Sequence, residues 1–155
     1  MTETALSTYT TSIEEVFWGA LLIALTMAIH GLGVVATLRA GGALQRRHAV
    51  ASPLRNAMRI LIASTWILVL VHLLEVLVWA TFFWLNDAFG NLSTAFYYSL
   101  MQYTTVSSQF RPPEQLRLLG GMIAMAGLLT FAWSTSVLLI LGRRFQDSAL
   151  QHGDN

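Results

Sequence analysis

Two ionisable side chains stand in the apolar run VHLLEVLVWA. His72 and Glu75 lie three residues apart and Trp79 follows Glu75 by one turn, so a helix puts all three on one face. Charge without a partner is costly among apolar neighbours, which makes such a pair a functional hypothesis. Three chemistries suit it. Glu75 can accept a hydrogen bond from an imidazole or from a neighbouring helix and so tie helices together, which is the first reading. The pair can bind and release a proton as a sensor or gate, the second. Metal or cofactor ligation is the third, and we expect neither a metal nor a cofactor.

The elements that hold this pair follow from composition. Hydrophobic residues make up 55% of the 155-residue chain and charged residues 11%, far below the about 25% charged of a soluble domain. Three runs, 16–38, 60–85 and 116–141, reach the about 20 residues that cross a hydrocarbon core about 30 Å thick. The chain is read as an integral membrane protein of one domain's length. Its start has no basic region and carries Glu3, Glu14 and Glu15, so the first run is expected to persist as a helix rather than be cleaved as a signal.

All nine basic residues are arginines, and Arg39, Arg46, Arg47, Arg55 and Arg59 crowd between the first two runs. By the positive-inside rule that segment is cytoplasmic. The N-terminus and 86–115 then lie outside, and the C-terminus with Arg143 and Arg144 lies inside. Gly41, Gly42 and Pro53 read as part of a cytoplasmic connector. On this topology His30, in LTMAIHGLGVVATL, comes to a depth similar to that of His72. Two histidines on different helices can ligate a haem from opposite sides, so a small bis-histidine haem membrane protein is a competing class, although no other redox signal accompanies it.

The segment FYYSLMQYTTVSSQFRPPEQLRLLGG, 96–121, is apolar and aromatic, then hydroxylic, then crosses two prolines. Residues 92–103 suit a helix with Asn91 or Ser93 as N-cap. At about 12 residues it would be about 18 Å long, too short to span. Backbone beyond such a helix must be buried in protein or line water, because unpaired amides do not face lipid. A surface-lying amphipathic helix followed by a polar loop is the plainer alternative. The order of a spanning helix, a short helix, a threonine-rich patch and another spanning helix favours a pore loop.

On these residues the chain resembles the two-helix pore domain of bacterial tetrameric potassium-type ion channels. The resemblance covers 87–141, with the helix before it as the outer helix. FYYSLMQYTT is similar to a pore helix running into the first filter threonines, and MIAMAGLLTFAWSTSVLLIL to the inner helix. It implies that Thr104, Thr105, Val106, Ser107, Ser108 and Gln109 form the ion pathway, with Phe110 and Arg111 at its mouth. The family's filter reads Thr-Val-Gly-Tyr-Gly followed by Asp. Here the same positions are Thr105, Val106, Ser107, Ser108, Gln109 and Phe110, so both glycines, the aromatic and the acid are replaced. Left-handed backbone costs a residue other than glycine about 1–2 kcal/mol. Ser107 and Gln109 are therefore expected to take another path, and potassium selectivity does not carry over. Arg111 places a guanidinium at the mouth, with Glu114 close enough in sequence to offset part of its charge.

The expected fold is an all-α membrane protein with three transmembrane helices plus one re-entrant pore helix, in a tetrameric pore-domain architecture. Its parts are 1–59, a first helix and arginine-rich loop; 60–142, the pore domain; and 143–155, a cytoplasmic tail. The expected function is passage of monovalent cations, with a non-conducting structural or regulatory membrane subunit as the alternative. Expected partners are further copies of the chain as a homotetramer, monovalent ions and membrane lipids, with no nucleic acid, in a bacterial inner membrane. His72 and Glu75 are the candidate gating or helix-tying pair. Gly120, Gly121, Ala124, Ala126 and Gly127 suit close helix packing, with a bend as the other use of such a glycine. Trp18, Trp66, Trp79, Trp84 and Trp133 are explained in part as interfacial anchors. The absence of cysteine excludes disulfides and thiolate chemistry. No phosphate loop or catalytic triad motif is present, so no enzyme activity is expected.

Overall fold

The structure is a computed structural model that describes residues 12–47, 53–106 and 108–151. Four helices follow in order: α1 (Ile13–Arg47), α2 (Pro53–Leu85), α3 (Leu92–Tyr103) and α4 (Arg117–Gln151), with a 3-10 turn at Glu114–Leu116 leading into α4. Three of them are long and apolar enough to cross a membrane, over Ile13–Arg46, Arg55–Leu85 and Glu114–Arg143. α3 is the short element, packed against both α2 and α4.

Each start has a local cause. Ser12 and Glu15 form a capping box: the Glu15 amide donates to Ser12 Oγ at 3.1 Å and the Ser12 amide to Glu15 Oε2 at 3.2 Å. Glu15 also accepts the Leu118 amide at 3.2 Å through Oε1. One carboxylate thus serves the first turns of both α1 and α4 and fixes those two ends side by side. α2 begins at Pro53, whose missing N–H is harmless at a first helical position. α3 is capped by Asn91, whose Oδ1 accepts the Thr94 amide at 2.8 Å.

The connector between α1 and α2 is shorter than expected. α1 continues through Gly41 and Gly42 to Arg47. The neighbouring Leu, Ala, Arg and Gln are strong helix formers that outweigh two glycines. Gly41 is also useful there: a Cβ at this position would sit 3.2 Å from Ile60 of α2. α4 likewise runs beyond its apolar run, to Gln151.

The core is concentrated around α3. Trp79, Ala80 and Phe83 of α2, Ala95, Tyr98 and Tyr103 of α3, and Leu119, Ile123 and Ala126 of α4 form one buried cluster with Leu22 of α1. A second cluster of Val34, Leu68, Val137 and Leu141 joins α1, α2 and α4 alone. Leu21, Leu32, Trp66, Leu70, Leu85 and Leu128 remain exposed, as expected where lipid rather than water is the solvent. There, close packing and interhelical hydrogen bonds carry association. Trp79 departs from the anchor reading. It is fully buried and its Nε1–H donates to Thr26 Oγ1 of α1 at 3.0 Å, because a buried indole N–H needs an acceptor.

Candidate functional site

All four helices contribute to one buried polar cluster. From α1 comes His30, from α2 His72 and Glu75, from α3 Tyr103, and from α4 Thr130 and Ser134. His30, Glu75 and Thr130 are wholly buried, and Tyr103 and Ser134 are buried too. The His72 side chain is 13% exposed.

The hydrogen bonds close a ring. Glu75 Oε1 lies 2.9 Å from His30 Nδ1. His30 Nε2 lies 3.3 Å from Ser134 Oγ, and the same hydroxyl lies 3.1 Å from His72 Nε2. His72 Nδ1 meets the Tyr103 hydroxyl at 2.8 Å, and that hydroxyl donates to Glu75 Oε2. Thr130 Oγ1 sits 2.5 Å from the Tyr103 oxygen and can also donate to the α4 backbone at Ala126 or Gly127. Trp133 covers His30, and Phe131 lies against both His72 and Tyr103.

The sequence pairs His72 with Glu75, and the structure brings them to 3.5 Å between Nδ1 and Oε2. Both have shorter partners elsewhere: Glu75 meets His30 of α1 and Tyr103 of α3, and His72 meets Tyr103 and Ser134. His30 and His72 do share a depth. Their rings lie with centroids 5.2 Å apart and both Nε2 atoms converge on Ser134. The two rings pack within one cluster. Sequence reasoning missed Tyr103, Thr130 and Ser134 as members of the site. The one local signal was the i, i+4 spacing of Thr130 and Ser134, which puts two hydroxyls on one face of an apolar helix.

The polar segment begins one residue after Tyr103. α3 ends in a Schellman arrangement: the Val106 amide reaches Met101 O at 2.8 Å and the Thr105 amide reaches Gln102 O at 2.9 Å. Thr105, the first residue past the helix cap, has φ 61°, a left-handed conformation where glycine is usual and a β-branched residue is strained. The first filter-like positions are therefore used as a helix stop. Among the described residues only Asp87 and Thr105 have positive φ outside glycine, so Gln109 keeps negative φ. Ser107 lies outside the described residues.

Thr104, Thr105, Val106, Gln109, Phe110 and Arg111 are exposed, and Ser108 is half-buried. Ser108 Oγ accepts the Phe110 amide at 3.1 Å, and Phe110 packs edge-on against Tyr97. Behind them a pocket of about 240 Å³ is bounded by Tyr98, Gln102, Ser108, Arg111 and Arg117. α4 approaches α3 through glycines: a Cβ on Gly127 would stand 2.1 Å from the Tyr103 carbonyl oxygen, and one on Gly120 2.5 Å from the Tyr98 hydroxyl. Close packing is thus what Gly127 and Gly120 provide.

A long helix, a short helix packed against its neighbours and followed by a polar segment, and a second long helix, in that order, form the part of the chain that a known family describes. Residues 71–144 match the family model described as Ion channel. The ion-channel match takes in α2 from the residue before His72, all of α3, the polar segment and α4 as far as Arg144; it leaves out α1 and with it His30. It supports ion transport as the class of function, in an integral membrane protein. Neither the curated proteins nor the solved structures gave a match.

Proposed function

We propose that the chain is one subunit of a homotetrameric channel that passes monovalent cations and discriminates weakly between potassium and sodium. In this reading α3 is a re-entrant pore helix, residues 104–109 line the ion path, and Phe110 and Arg111 stand at its outer mouth. The N-terminus lies outside and the C-terminus in the cytoplasm of a bacterial cell.

One observation carries the reading. α3 is anchored at its last residue, Tyr103, by hydrogen bonds into the bundle, while the residues that follow turn out to the surface. A polar segment beyond a helix too short to span needs protein or water over it in a membrane. Further copies of the same segment around an axis supply both. Weak selectivity follows from the replaced glycines, since a ring of stacked carbonyls needs backbone that residues other than glycine resist.

A non-conducting structural or regulatory subunit is the second reading, and the left-handed Thr105 favours it: a helix stop occupies the place of the first filter residues. Two measurements separate the readings. Mass determination of the protein in native lipid gives a tetramer for either pore-domain reading, and a stable monomer or dimer removes the channel. Potassium and sodium flux into liposomes under an imposed gradient then decides. Flux of both ions supports the channel, and none from a folded tetramer supports the non-conducting subunit.

A further inference from the structure

The ring of five hydrogen bonds is short of one hydrogen. Five links need five hydrogens, one each. Ionised Glu75 brings none, Tyr103 and Ser134 bring one each, and each neutral imidazole brings one, which makes four. With Glu75 ionised and both histidines neutral, one contact faces lone pair to lone pair. The cluster wants one more cation.

We propose that this cation is a divalent first-row transition metal, zinc in the first instance, held by His30 Nδ1, His72 Nδ1 and Glu75, with the Tyr103 oxygen as fourth ligand. Ligand atoms of His30, His72 and Glu75 all lie within 4.8 Å of one another. Zinc bonds of about 2.0–2.1 Å set tetrahedral ligands about 3.3 Å apart. The pairs here measure 2.9 Å for His30 Nδ1 and Glu75 Oε1, 3.5 Å for His72 Nδ1 and Glu75 Oε2, and 2.8 Å for His72 Nδ1 and the Tyr103 oxygen. These three pairs need shifts of about half an ångström or less, the two histidines start within 4.8 Å of each other, and the short Tyr103–Glu75 contact must open as the metal enters.

The outer contacts suit a metal as well as they suit a proton. Both Nδ1 atoms face the Glu75–Tyr103 side, and both Nε2 atoms face one hydroxyl, that of Ser134. A metal-ligating histidine donates its other N–H outward, which fixes tautomer and ring orientation. With the metal on both Nδ1 atoms each imidazole carries its hydrogen on Nε2, and the two lone pairs of Ser134 Oγ accept both. Thr130 Oγ1 in the same way supports the Tyr103 oxygen. Binding to the closed ring releases the proton that the metal replaces, and the Tyr103 proton as well if the phenolate ligates. Two imidazoles with a carboxylate and a phenol oxygen form a donor set of nitrogen and oxygen that suits zinc, cobalt or iron rather than magnesium or calcium. The site does not rest on ion passage, and it lies partly on α1, outside the ion-channel match.

The test uses the full chain in lipid nanodiscs, stripped with chelator, with His48→Gln and His152→Gln in every form so that only His30 and His72 remain. Cobalt(II) chloride should bind once per chain with the intense visible absorption of a tetrahedral site, and one equivalent of zinc chloride should abolish that absorption. Glu75→Gln and His72→Gln should each lose stoichiometric binding while keeping the wild-type helical circular dichroism. Ser134→Ala removes no proposed ligand, only the hydroxyl that both imidazoles meet; it should keep the tetrahedral spectrum with affinity lowered about 10–100-fold, and it decides the matter if the ligand variants do not fold. If the His48→Gln, His152→Gln form binds neither ion stoichiometrically, or if binding is unchanged by Ser134→Ala or by folded Glu75→Gln and His72→Gln, the cluster holds a proton and no metal.

Discussion

The His30 imidazole and the Glu75 carboxylate meet at 2.9 Å although 45 residues separate them, and both are sealed from solvent. Neither has an alternative partner of comparable quality on its own helix: the i, i+3 neighbour His72 stands at 3.5 Å from Glu75. Glu75→Ala should therefore leave His30 and Tyr103 buried without their acceptor. We expect a loss of about 1–3 kcal/mol, with Glu75→Gln losing less because the amide oxygen still accepts. Tryptophan fluorescence during chemical unfolding in detergent measures it, and equal losses for the two variants would refute the role of the acceptor.

Gly127 and Gly121 make a matched pair of substitutions on α4. A methyl at Gly127 runs into the Tyr103 backbone at 2.1 Å, whereas one at Gly121 meets nothing within 4 Å. Gly127→Ala is expected to lower stability by about 1–3 kcal/mol through overpacking, and Gly121→Ala to be neutral or slightly stabilising within one protomer. Thermal unfolding of the two variants side by side checks the difference in sign.

Thr105 carries strain that glycine would relieve. The left-handed conformation costs it about 1–2 kcal/mol, and the greater freedom of glycine in the unfolded chain returns about 0.5–1 kcal/mol of that. Thr105→Gly should thus stabilise the protein by about 0–1.5 kcal/mol, the difference of those ranges. A fall in thermal stability instead would mean that the Thr105 side chain makes a contact worth more than the strain.

Restoring the filter chemistry should change selectivity. Ser107→Gly, Ser108→Tyr and Gln109→Gly together supply the residues a ring of carbonyls requires, and Phe110→Asp removes an apolar side chain and offsets Arg111. Liposome flux should show higher preference for potassium over sodium in the four-fold variant than in wild type. Strong potassium preference in the wild type, or no flux from a folded tetrameric variant, would rule out a re-routed filter.

Orientation is tested by reporter fusions. The arginine distribution predicts the N-terminus and the Pro112-Pro113 segment outside, with Arg46 and Arg47 inside. The Glu15 bond to the Leu118 amide requires the first turns of α1 and α4 to share a side whichever way the protein faces. Fusions reporting these two turns on opposite sides would contradict the fold itself.

By itself the sequence determined the elements. Apolar run length, arginine placement and the polar stop after Tyr103 specified three long helices and a short one, with α3 bounded at Leu92–Tyr103 and Asn91 or Ser93 as its cap, because these signals are local: an apolar run marks where a helix lies, and a cap acts within one turn. Charge asymmetry also suggested which ends belong together. Only the tertiary structure decided how the polar side chains pair. Glu75 had a ready neighbour in His72, yet its shorter contacts are to α1 and α3, and Trp79 proved to be a buried donor to Thr26. Partner choice depends on the rotation and crossing of four helices, set by close approaches such as Gly33 against Val71 and Gly127 against Tyr103. A side chain in lipid takes whichever polar group that packing brings within reach. Nothing along α4 marks Ser134 as the hydroxyl on which two histidines converge until α1, α2 and α4 stand together.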